Sequence, residues 1–317
     1  MKSTRLIAAA GLALCGLLTI APATAAEPEA CQNVGIANVN WTGVTVKSET
    51  AERLLKALGY ETKLTTASVP IAFQAVAQGE RDFFLGLWLP TQKSMIEPFL
   101  KKKQVEKVAA NLEGAKYTLA VPTFVWKAGV KSFSDLDKYK DKFDGRILGI
   151  EAGNDGNQII QDMIDQNAFG LGDWKLVPSS EAGMLTQVKR SIKRHEWVVY
   201  LGWAPHPMNL NIDMKYLTGG DKYFGPDQGG ATVYTIATTG YVDKCPNVGR
   251  FLKQYKYTVD EQSRAGGYVI NDNMSTLDAG IKLIKQKPEL LNRWLDGVKT
   301  ADGKRDAVPV VKQALGM

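Results

Sequence analysis

Short apolar runs alternate with stretches of helical spacing along the first part of the chain. Residues 34–38 (VGIAN), 60–68 (YETKLTTAS) and 82–88 predict strands, and residues 48–58, 69–78 and 91–106 predict the helices between them. In the helix at 48–58, Ser48 is the expected N-cap and Gly59 the terminator. This alternation is typical of a parallel sheet with helices on its faces.

The same alternation restarts after Leu112 and indicates a second α/β unit. Strands are expected at 117–121, 123–126, 146–151, 174–178 and 198–204, with helices beginning at 132 and spanning 157–166 and 181–193. From about Ala237 onward we expect a strand at 238–242 (TTGYV), a helix at 248–256, and two or three helices to the end.

The first 26 residues have the features of a Sec signal peptide. Lys2 and Arg5 precede an apolar run from Leu6 to Ile20, and small residues follow at the expected cleavage site after Ala25 or Ala26. No later stretch reaches the apolar length of a membrane span. We therefore expect a secreted protein of the periplasm.

Removing that segment leaves two of the three cysteines, Cys31 and Cys245. In an oxidising compartment an isolated pair can form a disulfide, or the two can stay as unpaired buried thiols. Neither has a neighbour at metal-ligand spacing, and the chain has only two histidines, so no metal or cofactor is expected.

About 290 mature residues exceed the usual size of a single core, which favours two lobes. We place lobe I at 27–117 and 238–317 and lobe II at 118–237, with chain crossings near 113–121 and 229–240. Two lobes joined by two crossings form a hinge and a cleft. The formal charge of +6 falls to +4 without Lys2 and Arg5, and the basic residues are spread along the chain, so nucleic acid is not an expected partner.

Two strands end in the same unusual way. Residues 83–90 read FFLGLWLP and residues 198–205 read VVYLGWAP, so Trp88 and Trp203 each close an apolar strand. Ligands of parallel α/β sheets bind beyond the carboxyl ends of strands, where Trp41 is also expected. Tyr117 is expected to open the strand at the first hinge crossing, so that four aromatic residues meet at the predicted cleft. Aromatic faces bind quaternary ammonium groups, although a tryptophan at a strand end can also serve packing alone.

A glycine-containing loop, EAGNDGN (151–157), lies between a predicted strand and a predicted helix. Gly153 lets the backbone approach a ligand closely, and Asn154 or Asp155 is the expected N-cap. The loop could hold a carboxylate or a hydroxyl, or it could be an ordinary capped turn.

The chain resembles the periplasmic substrate-binding proteins of ABC importers for glycine betaine, choline and carnitine. The resemblance rests on NWTGVTV, LGLWLP, LGWAPHP, AKYTLAVPTFV and EAGNDG, and it covers essentially the whole mature chain. It implies a two-lobed α/β fold of the type II periplasmic-binding-protein kind, with each lobe a mixed or parallel sheet flanked by helices and a ligand cleft at the hinge. It also implies a monomer that delivers its ligand to the transmembrane subunits of an ABC permease.

The similarity is greatest to the choline-binding branch, whose ligand sits in a box of four aromatic residues. Carried over by position, the resemblance places that box on Trp41, Trp88, Tyr117 and Trp203 and a polar contact on Asn154. It also implies the disulfide Cys31–Cys245.

One position departs from that branch. Gly43 stands where choline-binding members have an aspartate, two residues after the first box tryptophan. Because an aspartate would repel a zwitterion's carboxylate, its absence favours carnitine or glycine betaine over choline.

Two other functions remain open from the sequence. A different small cation could bind in the cleft, although polyamine sites usually need acidic residues that the strand-end motifs lack. An exported enzyme acting on a small amine would need a base, for which His206 is better placed than His195, but no nucleophile motif accompanies it.

Overall fold

The strands form one mixed sheet in the computed structural model, which describes residues 26–317. Nearly all of the predicted signal peptide therefore lies outside the described residues. The strands are β1 Asn33–Asn38, β2 Glu61–Thr66, β3 Phe83–Leu89, β4 Val105–Pro122, β5 Arg146–Leu148, β6 Lys175–Val177, β7 Val199–Ala204, β8 Met214–Tyr216 and β9 Gly230–Thr238.

Helices cover the faces of this sheet. They are α1 Thr42–Ala57, α2 Val69–Ala77, α3 Lys93–Lys101, α4 Thr123–Lys127, α5 Asp155–Asp165, α6 Glu181–Lys193, α7 Met208–Asn211, α8 Asp221–Phe224, α9 Pro226–Gly229, α10 Tyr241–Lys244, α11 Pro246–Gln254, α12 Val259–Ile270, α13 Thr276–Gln286, α14 Glu289–Trp294 and α15 Ala307–Ala314. Within residues 26–317, no helix is long and apolar enough to cross a membrane.

The order of the strands divides the sheet into two parallel halves. In the order β2-β1-β3-β9-β4-β7-β5-β6, the first half is β1–β3 and the second half is β5–β7. Strand pairs are parallel within each half, whereas β4 and β9 between them run antiparallel to each other and to their neighbours. The α/β fold expected from the alternating pattern is confirmed. The segments in which lobe crossings were predicted, near 113–121 and 229–240, belong largely to β4 and β9, and the crossings themselves stay a prediction.

Several predicted elements were wrong. Helix α1 begins at Thr42, so Ser48 lies buried inside the helix and is not its N-cap. The helix predicted at 91–106 ends at Lys101, after which the chain enters the long strand β4. Residues 123–126 are helical because Pro122 ends β4, and Tyr241–Lys244 form a short helix where a strand was expected.

The C-terminal helices pack onto the first half of the sheet. Helix α1 contacts α12, α13 and α15, and Cys31 and Cys245 form the disulfide that the resemblance implied, with a Cα–Cα distance of 5.6 Å. Four helices, rather than two or three, follow α11 in this region. The lobe boundaries themselves stay a prediction.

A lysine of α1 is buried in the core. Lys47 is 1% exposed, and its Nζ donates to Asn111 Oδ1 at 2.8 Å. Asn111 in turn donates to the Leu85 carbonyl and to Thr235 Oγ1, so this polar group joins β3, β4 and β9. Burial lowers the pKa of Lys47 to about 7, because the charged ammonium loses its hydration.

Replacing Lys47 with methionine should change how stability depends on pH. The unfolded lysine keeps its ordinary pKa of 10.5, so between about pH 7 and pH 10 the unfolded state binds more protons and wild-type stability rises with pH. We expect Lys47→Met to be more stable than wild type at pH 7, by roughly 1–4 kcal/mol. The advantage should shrink or reverse by pH 10, where an unpaired Asn111 costs about 1–3 kcal/mol. Thermal unfolding of both proteins from pH 7 to pH 10 measures this, and parallel curves would contradict it.

Candidate functional site

A cavity lies where the two halves of the sheet meet. Its lining consists of four aromatic side chains, three further polar or small residues and two aliphatic ones: Trp41, Trp88, Tyr117, Trp203, Gly43, Asp155, Gln262, Val44 and Ile150. The four aromatic residues are those singled out in the sequence, and the structure brings all of them to this cavity.

Three of the aromatic residues lie at the end of an element, and Tyr117 lies inside β4, not at the start of a strand as expected. Trp41 is the residue that precedes α1, and Trp88 is the penultimate residue of β3. Tyr117 of β4 and Trp203 of β7 are direct partners in the antiparallel register. The four side chains therefore come from both halves of the sheet and from the strand between them.

The rings meet edge to face around Tyr117. The Tyr117 ring centroid lies 6.1 Å from that of Trp88 and 6.2 Å from that of Trp203, with interplanar angles of 62° and 82°. Phe224 packs against Tyr117 from another direction, at 6.0 Å. This arrangement leaves the cavity bounded by aromatic faces and edges, the usual surroundings of a bound quaternary ammonium.

Trp41 is held by a hydrogen bond to a residue that follows β5. Its Nε1 donates to Glu151 Oε1 at 2.7 Å. Burial raises the pKa of Glu151, and this hydrogen bond opposes the rise. Glu151 was not chosen from the sequence, although it begins the EAGNDGN loop.

The EAGNDGN loop forms a capped helix start, which is one of the two possibilities that the sequence left open. Asn154 is the N-cap of α5, where its Oδ1 accepts from Asn157 N at 2.9 Å and from the Tyr117 hydroxyl at 3.4 Å. Gly153 has φ 83°, a conformation that favours glycine. Neither Asn154 nor Gly153 lines the cavity. Their contacts with a ligand therefore stay a prediction. Asn154 orients Tyr117 through the hydrogen bond to its hydroxyl.

Asp155 is the carboxylate of the cavity. It is 2% exposed, and Gln92 Nε2 donates to its Oδ1 at 3.2 Å. Burial raises the pKa of Asp155, and hydrogen bonds from the Thr91 and Gln92 side chains oppose the rise. Burial also raises the pKa of the neighbouring Tyr117, and the charges of Asp155 and Glu151 add to that rise. A buried carboxylate at the wall of the cavity is suited to neutralise a ligand's positive charge.

Gln92 connects this carboxylate to the aromatic wall. Its Oε1 accepts from the Trp88 backbone N–H at 2.9 Å, while its amide nitrogen donates to Asp155. Sequence reasoning missed Gln92 because a glutamine two residues after a strand-ending proline has no distinctive pattern.

Another polar contact connects the start of α1 with the start of α6. Glu181, the first residue of α6, accepts from the Thr42 backbone N–H at 3.1 Å and from the Thr42 hydroxyl. His206 Nε2 lies 3.1 Å from Glu181 Oε1, and His206 Nδ1 accepts from the Met208 N–H at 3.0 Å. Both ring nitrogens of His206 are therefore engaged, which argues against its use as a catalytic base.

Gly43 lies beside a residue that no sequence signal identified. A Cβ at position 43 would stand 2.5 Å from Gln262 Nε2, so the glutamine amide occupies the space that a side chain there would need. Gln262 is on α12, far along the chain from Gly43. No cluster of potential metal ligands occurs in residues 26–317.

Comparison with known families identifies the protein class. Residues 32–285 match the OpuAC family, described as the substrate binding domain of ABC-type glycine betaine transport system. The chain belongs to this family. It is therefore the substrate-binding component of an ABC-type transport system.

One relative with a named function is a transport binding protein. The glycine betaine/carnitine transport binding protein GbuC of Listeria monocytogenes is 27% identical over 188 residues, which cover 58% of this chain and 61% of GbuC.

Three solved structures share the fold over most of their length. An ABC-transporter choline binding protein in complex with choline has a TM-score of 0.89 and 43% identity, covering 92% of this chain and 100% of that one. A choline binding protein in an unliganded semi-closed conformation has a TM-score of 0.83 and 43% identity, covering 91% and 100%. Lactococcal OpuAC in its closed form with glycine betaine has a TM-score of 0.74 and 27% identity, covering 83% and 98%. They are two-lobed binding proteins, and the two-lobed fold expected from the resemblance is confirmed.

Proposed function

We propose that this protein captures a small quaternary ammonium compound in the aromatic cavity and delivers it to the permease of an ABC importer. The observation that carries the proposal is the meeting of Trp41, Trp88, Tyr117 and Trp203 around one cavity. A quaternary ammonium has no hydrogen-bond donor, so aromatic faces and a nearby anion are the groups that can bind it. Each face contributes roughly 0.5–2 kcal/mol, more where water is excluded.

Asp155 supplies the anion in this proposal. Its carboxylate lines the same cavity as the rings, and the site therefore offers a negative charge to a cationic head group. In the ligand-free protein the buried charge is costly, and a bound cation would offset that cost.

The proposed mechanism is capture by closure of two lobes in the periplasm. Trp41 with Glu151, Thr42 with Glu181, and Gln92 with Asp155 are hydrogen-bonded pairs that connect the first half of the molecule to the second. The higher TM-score to the choline complex than to the unliganded semi-closed form supports a closed arrangement here. A ligand that contacts both halves stabilises the closed form over the open one.

For the ligand itself, we propose glycine betaine or carnitine in preference to choline. Gly43 removes the aspartate of the choline-binding branch, and a neutral amide, that of Gln262, fills the space. A zwitterion's carboxylate meets no additional negative charge at that position. The 43% identity to a choline binding protein supports the same head group but not a particular tail.

Calorimetric titration of the mature protein with glycine betaine, carnitine and choline tests the proposal. We expect all three to compete for one site, with glycine betaine or carnitine the tightest. Tightest binding of choline would contradict the preference alone. No binding of any quaternary amine would contradict the proposed function.

Replacing Trp203 with alanine should weaken binding of the preferred ligand by well over tenfold, because more than about 1.4 kcal/mol of cation–π attraction is lost. Trp126→Ala is the matched control, since Trp126 lies outside the cavity and packs near Lys131. Both variants are titrated after thermal unfolding shows that they are folded. Equal losses in the two variants would remove Trp203 from the site.

The affinity for a cation should depend on pH through Asp155. Because its pKa is raised in the free protein, the carboxyl takes up a proton as pH falls, and it then no longer attracts a cation. We expect affinity for tetramethylammonium, which does not titrate, to be constant at high pH and to fall towards low pH. In Asp155→Asn the affinity at pH 8 should drop at least about tenfold.

The pH dependence should also become flatter in Asp155→Asn. Glu151→Gln is the comparison, because Glu151 is a second carboxyl near the cavity whose pKa burial raises. An unchanged pH profile in Asp155→Asn, with a flattened one in Glu151→Gln, would assign the dependence to Glu151.

A further inference from the structure

We propose that Glu181 is a positioning residue that latches the two halves of the sheet together around the aromatic cavity. It acts through Thr42 and His206 and does not line the cavity itself. The inference rests on the proposed function, since it explains how the ligand-holding form stays closed. It extends that function by naming a residue that sets how fast the ligand leaves.

Glu181 binds the start of α1 with both of its carboxylate oxygens. Its Oε2 accepts from the Thr42 backbone N–H at 3.1 Å, and its Oε1 accepts from the Thr42 hydroxyl. Thr42 directly follows Trp41, which lines the cavity. Because α1 lies between β1 and β2 whereas α6 lies between β6 and β7, this contact connects the two parallel halves of the sheet.

His206 is the second partner of this carboxylate. Its Nδ1 accepts from the Met208 N–H at 3.0 Å, so the ring proton is carried by Nε2, which lies 3.1 Å from Glu181 Oε1. The imidazole therefore donates to Glu181. It also packs against Trp203, with the ring centroids 4.9 Å apart and an interplanar angle of 61°. Glu181 is thus linked to a cavity tryptophan in each half of the sheet.

Burial makes these hydrogen bonds depend on closure. Glu181 is 7% exposed and His206 is 4% exposed. A carboxylate so far from water needs donors from the protein, and a hydrogen bond to it gains strength where water is excluded. Two of these three donors belong to Thr42, so separation of the halves removes both at once and leaves His206. The latch therefore favours the closed form without touching the ligand.

The chain that follows His206 also lies against the first half of the molecule. Gly266 of α12 is next to Pro207, since a Cβ on that glycine would stand 3.1 Å from the proline Cδ. Asn211 Nδ2 donates to Oδ1 of Asn271, the C-cap of α12. Helix α12 in turn contacts α1. The latch thus lies at a junction that exists only when the two halves are in contact.

Two substitutions remove the latch from opposite sides. Glu181→Gln keeps the shape of the side chain, but its amide NH2 must face either the Thr42 N–H or the two donors at the Oε1 position. Thr42→Pro removes both the N–H and the hydroxyl. Proline is favoured at the first position of a helix, and Trp41 already has the extended backbone that a following proline requires, with φ −109° and ψ 130°.

The test is stopped-flow tryptophan fluorescence of the mature protein with glycine betaine and with choline. We expect each variant to release the ligand at least about tenfold faster, because it loses hydrogen bonds to a buried charge. The association rate should change by less than about threefold, since the ligand enters the open form, in which the latch is not made. The double variant should be no weaker than either single variant, because both remove the same interaction.

Two control variants leave the latch intact. Thr42→Ser keeps the N–H and the hydroxyl, and Glu196→Gln changes an exposed glutamate in the loop before β7. Both should release the ligand at the wild-type rate. Thermal unfolding without ligand shows that each variant is folded.

The outcomes separate this inference from the proposed function. If the wild-type protein binds no quaternary amine, the proposed function fails, and small-angle X-ray scattering of the ligand-free proteins then decides the latch. Larger radii of gyration in both latch variants would support it, and radii equal to wild type would overturn it. If ligand binds, unchanged release rates, a fall in the association rate alone, or additive losses in the double variant would overturn the latch and leave the aromatic cavity in place.

Discussion

The burial of Asp155 is the constraint around which the proposed site is arranged. A carboxylate that is 2% exposed needs donors, and Gln92 gives it one, from the end of the strand that carries Trp88. Because Gln92 lies in the first half of the molecule and Asp155 in the second, the two halves must approach for this hydrogen bond to form. Because Asp155 also lines the cavity, the same residue joins the halves and places a carboxylate beside the aromatic rings.

Trp41 departs from the usual residue preference at the start of a helix. Residues before a helix are usually short and polar, since their side chains cap the first N–H groups. Here an indole takes that place, and its own N–H donates to Glu151 across the cavity. The start of α1 therefore lacks a side-chain cap. For this reason the capping pattern in the sequence predicted a helix that begins at Ser48. Such departures from helix-capping preference are expected where binding, rather than folding, selects the residue.

The aromatic wall could be predicted from the sequence because strand ends leave a local signal. An apolar run followed by tryptophan and proline marks the end of a buried strand, and it occurs at both Trp88 and Trp203. The polar partners leave no such signal. Gln92 and Gln262 are single glutamines, and only the packing of α12 against α1 brings Gln262 to Gly43. Likewise, the length of β4 depends on its pairing with β9, so the local pattern predicted only the end of a helix at 105–106 and a strand at 117–121 within it.

The pair formed by Gly43 and Gln262 changes how the missing aspartate is understood. A glycine in place of an acid looks like a loss of binding energy when position 43 is considered alone. In the folded chain the space is filled by an amide that can donate, next to helix N–H groups that an aspartate side chain would contact or cover. A neutral amide therefore stands beside position 43, where the choline-binding branch has a carboxylate. The proposed preference for a zwitterion depends on this difference in charge.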